Sequence, residues 1–82
     1  MVAMLKTASE EDAKKIVQTR QARIGQAIRD AREALGWSRL TVAYRAGVAS
    51  TTVEAVENGG NVKTATLLVV AEVVGVVVEV RP

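Results

Sequence analysis

Between residues 13 and 45 the chain sets Lys14, Lys15, Arg20, Arg23, Arg29, Arg32, Arg39 and Arg45 against only Asp30 and Glu33. Cationic groups in that excess can neutralise phosphates and release their counterions, so the chemistry they suggest is the binding of a polyanion. A solvated helix face would carry the same charges, and charge alone leaves both readings open. The flanks do not share the bias. Residues 1–12 set Lys6 against Glu10, Glu11 and Asp12, and residues 46–82 set Lys63 and Arg81 against Glu54, Glu57, Glu72 and Glu79. The formal net charge of +2 therefore conceals a basic middle.

Other chemistries lack their parts. The chain has no Cys and no His, which removes disulfides, thiolate nucleophiles, finger-type zinc sites and the commonest general base. Catalysis would fall to Asp, Glu, Lys, Ser or Tyr. Yet no paired carboxylates stand in a cleft-forming context, and neither a glycine-rich phosphate loop nor a Ser-Lys motif of known spacing occurs. No enzyme activity, metal or cofactor is expected. No apolar run approaches the roughly 18 residues of a membrane span. The short apolar start runs into Lys6 and an acidic cluster and does not read as a signal peptide. The expected location is the cytoplasm, that of a bacterium or, for a phage-encoded chain, of its host.

The elements that must position these residues are mostly helical. Hydrophobic residues make up 49% of the chain, so a folded core is expected. With no Phe, and with Trp37 and Tyr44 as the two aromatics, Val, Ala, Leu and Ile must fill it. A core of this kind in so short a chain is marginal, and oligomerisation is a common remedy. Thr7 and Ser9 are N-cap candidates ahead of Glu10, Glu11 and Asp12, which suit the positive end of a helix dipole. Ala13, Ile16, Val17, Ile24, Ala27, Ile28, Ala31 and Leu35 then recur at helical spacing as far as Gly36. Gly25 interrupts that run; it either kinks one long helix or marks a join, and the favoured reading is two helices joined between Gln21 and Gly25. The apolar stripe of the first is expected to pack on the core or on a second subunit, in preference to serving as a DNA-backbone arm.

Ser38 caps a helix predicted over Arg39–Ala46, ended by Gly47. A third runs over about Ser50–Glu57, and a fourth from Lys63 or Thr64 to Gly75. The tail from Val76 to Pro82 is rich in Val and reads as a strand. A strand needs a partner, and no other segment reads as one. The simplest partner is the same tail of a second chain, which makes the protein a homodimer.

The stretch Gly36–Gly59 joins two short helices through a tight turn at Gly47-Val48. Ala43 permits close approach, and Val42, Val48, Val53 and Val56 can share one core, while the second helix is free to enter a major groove. This stretch resembles the helix-turn-helix family of the phage Cro and cI repressors, which includes many bacterial regulators and antitoxins. The resemblance rests on Ile28 and Arg32, Gly36 and Ser38, Val42 and Ala43, Gly47 and Val48. It continues through Val53, Glu57 and Gly59 to Leu67, Leu68, Ala71, Gly75 and Val76. It runs without a gap from Ile24 to Val76, and the tail beyond resembles the C-terminal strand of HipB-like antitoxins.

The resemblance implies an all-α, lambda-repressor-like bundle of four to five helices, with a helix-turn-helix DNA-binding domain over 23–75 and a dimerisation strand over 76–82; residues 1–22 are an N-terminal helical extension beyond the family core. It puts Ser50, Thr51, Thr52, Glu54 and Ala55 on the base-reading face of the recognition helix. Arg39 falls near the DNA backbone, where the family has Gln, and Asn58, Asn61 and Lys63 fall in the flanking loop. Arg23 and Arg45 are further backbone candidates. Capping of the third helix is the competing role for Ser50. Arg32 and Glu57 match an internal ion pair of the family. Val76, Val77, Val78 and Val80 would form the dimer contact.

One departure matters for specificity. The recognition helix has no Arg, Lys, Gln or Asn before Asn58, the side chains that make bidentate base contacts. Readout would then rest on small side chains and DNA shape. The expected function is a sequence-specific regulator of double-stranded DNA, most simply a dimeric repressor. The alternative is a HipB-like antitoxin or interaction module that binds DNA weakly and holds a toxin or other protein partner.

Overall fold

The computed structural model describes residues 9–78. They form four helices: α1 Glu10–Ala34, α2 Arg39–Ala46, α3 Ser50–Glu57 and α4 Thr64–Val74. Each start and stop has a local cause. The Ser9 hydroxyl accepts the Asp12 N–H at 3.1 Å and opens α1, and Ser38 does the same for α2 through the Thr41 N–H at 3.1 Å. Thr7, the other N-cap candidate, lies outside the described residues. Gly47 ends α2 at φ +69°, a conformation that costs a residue with a Cβ about 1–2 kcal/mol. Its neighbour Val48 donates back to the Ala43 carbonyl at 3.0 Å, closing the turn that sets α3 against α2.

The core is built from small and branched side chains, as the composition requires. Ile28 of α1, Val42 of α2, Val53 and Val56 of α3 and Val70 of α4 are fully buried, with Ala43, Ala71 and Val74 filling between them. Ala43 lies where α2 meets its neighbours, and its lack of bulk lets the helix backbones close up. Val48 and Trp37 pack on the edge of this cluster.

Two sequence expectations are corrected here. Residues 10–34 form one unbroken helix, so there is no join between Gln21 and Gly25, and residues 10–22 belong to the same helix as the core segment after them. Gly25 has a different purpose. It is buried against the end of α3, where a Cβ would collide with the Val56 carbonyl oxygen and meet that of Glu57 at 2.8 Å. The glycine marks a close approach of two helices and leaves α1 intact. The stripe of Ile16 and Val17 does not pack on the core either, since every residue from Glu10 to Arg20 is exposed.

The second correction concerns the tail. Among the described residues no strand forms. The Val76 N–H donates to the Ala71 carbonyl at 2.8 Å in the closing turn of α4, and Val76 and Val78 pack against the chain's own core. Both are half-buried there, and Val77 is exposed. Val80 lies outside the described residues. No helix among the described residues is long and apolar enough to cross a membrane.

Candidate nucleic-acid interface

α3 has two faces. Val53, Val56 and Glu57 are buried, and Ser50, Thr51 and Glu54 on the opposite side are exposed, with Thr52 and Ala55 half-buried at the margins. The helix is opened by Ala49, and no side chain caps it. Ser50 is therefore not spent on capping. Among the described residues its hydroxyl and that of Thr51 make no hydrogen bond, which leaves both able to donate or accept toward an outside partner.

The far end of α3 is anchored by charge. The Glu57 side chain is wholly buried. Its carboxylate accepts from Arg32 Nε at 2.6 Å, from Arg32 Nη2 at 3.1 Å and from Arg39 Nε at 3.0 Å. Arg32 Nη1 also donates to the Trp37 carbonyl at 2.9 Å. One carboxylate thus ties α1, the α1–α2 connection and the start of α2 to the last residue of α3. Burial alone would push the Glu57 carboxyl up. The hydrogen bonds from Arg32 and Arg39 outweigh it and hold the group below the ordinary carboxylate range. The same carboxylate raises Arg32 above its ordinary value.

Two guanidiniums on one carboxylate leave a net positive charge at this corner. Arg39 carries it to the surface: its side chain is 39% exposed, against 11% for Arg32. Its Nε is committed to Glu57, and among the described residues its two terminal nitrogens make no hydrogen bond. The sequence expectation had Arg39 as a phosphate ligand alone and did not foresee its bond to Glu57. A signal existed. An arginine at the first position of a helix faces the positive end of the helix dipole, an unfavourable place unless an anion lies nearby.

The other predicted residues are spread more widely. Asn58, Asn61 and Lys63 are exposed in the connection between α3 and α4. Arg23 is exposed on α1, five residues before the buried Ile28. Arg45, in the last turn of α2, lies over the Trp37 ring with its guanidinium carbon 4.3 Å from the ring centre, a cation–π contact absent from the sequence expectation. Tyr44 is almost fully exposed. Among the described residues no group of His, Cys, Asp or Glu is clustered to hold a metal ion.

A short helix crossing into a second through a glycine turn, with the second helix pinned at its far end and open along its outer face, defines a helix-turn-helix DNA-binding module. The family model described as Helix-turn-helix matches residues 28–77. The chain belongs to this family, the Cro/cI-type helix-turn-helix proteins, and is a DNA-binding regulator of that kind. No curated protein matches it.

Proposed function

We propose that the protein is a dimeric transcriptional repressor that lays α3 in the major groove of a palindromic site. Ser50, Thr51, Thr52, Glu54 and Ala55 face the base edges. Arg39, Asn58, Asn61 and Lys63 flank them on the phosphates, with Arg23 and Arg45 reaching the backbone further out. The observation that carries this reading is the state of α3: its outer hydroxyls are exposed and unspent, while its inner face and C-terminal end are locked by the valine core and Glu57. A helix held rigidly on one side with free polar groups on the other is what groove reading needs. With hydroxyls and a carboxylate in place of longer side chains, discrimination between bases comes from small contacts, thymine methyls and groove shape. The site of action is then the cytoplasm or nucleoid.

The same poverty of long side chains on α3, with the exposed Leu40 and Tyr44 on α2, favours a second reading, an antitoxin-like module that holds a protein partner. Selection from a random pool of duplex DNA, followed by salt titration, separates the two. The repressor reading expects a palindrome with half-sites about 34–36 Å apart and an affinity that falls steeply with salt. Ser50→Ala with Thr51→Ala should then blur the motif. Arg39→Ala should weaken binding to all sequences alike and lower the salt slope by about one. No enriched motif, with only weak binding at physiological salt, would overturn the repressor reading in favour of the partner-binding one.

A further inference from the structure

Every residue from Glu10 to Arg20 is exposed, and the molecule measures 54 × 20 × 19 Å. An isolated helix of about 12 residues is marginal in water. The local supports of this one are slight: the Ser9 cap and an exposed Glu10–Lys14 ion pair at 3.5 Å. It nevertheless displays Ala13, Ile16 and Val17 along one stripe, with Ile16 45% and Val17 52% exposed. Among the described residues neither Ile16 nor Val17 belongs to the core or packs against it.

The charges along this rod are sorted. Glu10, Glu11 and Asp12 occupy its tip, Lys14 and Lys15 follow within the next turn, and Arg20 and Arg23 form its base. A helix polarised in this way is complementary to its own reverse. Antiparallel pairing about a two-fold axis near Ile16 and Val17 places position 10 opposite 23 and position 13 opposite 20. The apolar residues then meet in the middle, with acidic tips against basic bases at both ends. Parallel pairing would set like charges together. Binding of the rod along DNA would use Lys14, Lys15 and Arg20, but it would drive the three acidic residues of the tip toward phosphates and leave the apolar stripe in water.

We infer that the projecting half of α1 is a self-association arm that pairs antiparallel with the same segment of a second copy of this chain. The inference rests on the dimer of the proposed function and names where the second copy binds. It assigns the contact to α1, away from the tail valines.

Charge exchange tests it on the full chain without DNA. One variant carries Glu10→Lys, Glu11→Lys and Asp12→Lys, the other Arg20→Glu and Arg23→Glu, with circular dichroism to establish that both remain helical. By sedimentation equilibrium, wild type is expected at twice the monomer mass, each variant alone at the monomer mass, and their equimolar mixture at twice that mass again. If both variants keep the doubled mass, the arm inference is overturned, while a dimer through another face stands. If the mixture fails to recover the mass the variants lost, the antiparallel charge pairing is wrong. A wild type that is monomeric throughout overturns the arm and the dimer together. Unchanged mass with loss of DNA affinity in Lys14→Glu with Lys15→Glu assigns the arm to DNA instead.

Discussion

Helix α1 passes without a break through two environments. From Gln21 onward it is embedded: Gly25 lies against the α3 carbonyls, Ile28 is in the core, and Arg32 holds Glu57. From Glu10 to Arg20 every residue is exposed. Yet the two halves read alike in sequence, with Ala13, Ile16 and Val17 at the same helical spacing as Ile24, Ile28 and Ala31. Periodicity establishes which face of a helix is apolar. What covers that face depends on tertiary partners, which a helical repeat does not encode. The family match begins at Ile28, seven residues inside the embedded half.

Substitutions can sharpen this contrast. The largest loss is expected at the anchor. Glu57→Ala leaves Arg32 without its buried partner and should cost about 3–5 kcal/mol in chemical denaturation. Gly25→Ala, on the embedded half of the same helix, should cost about 3 kcal/mol, because the new methyl meets backbone carbonyls that cannot turn aside. An unchanged midpoint for Gly25→Ala would mean that α1 and α3 are less tightly apposed than described. Acid probes the anchor without mutation. The Glu57 carboxyl is held below its unfolded value, so the stability it contributes is complete above about pH 4.3 and is lost as the pH falls through its lower folded value. Glu57→Gln should flatten that part of the pH–stability curve. The smallest effect is expected on the projecting half, where Ile16→Ala should change the stability of the dilute monomer by no more than about 0.5 kcal/mol. A loss of several kcal/mol there would erase the distinction between the halves.

Much of the fold was legible because local chemistry decides it. Ser38, Gly47 and Gly75 mark boundaries through capping and left-handed backbone, and the structure ends its helices at those residues. Val42, Val53 and Val56 could be assigned to the interior from spacing alone. The misreadings share a cause in long-range contact. Gly25 looked like a helix break because its close neighbours, Val56 and Glu57, lie more than thirty positions away. Val76 and Val78 looked like a strand in search of another chain because their β-branched side chains suit one, but the chain's own core takes them up. At the candidate interface, the resemblance paired Arg32 with Glu57, and the structure brings Arg39 to the same carboxylate. The hand of Arg45 on Trp37 had no sequence signal.

Trp37 is the chain's one tryptophan. Its carbonyl receives Arg32, its ring lies beneath Arg45, and it stands where α1 gives way to α2. The protein therefore carries a built-in optical reporter at the junction of its anchoring network. Its tryptophan emission arises from a single point, and loosening of α3 from the other helices can be followed there in the unlabelled protein, by colour and by quenching.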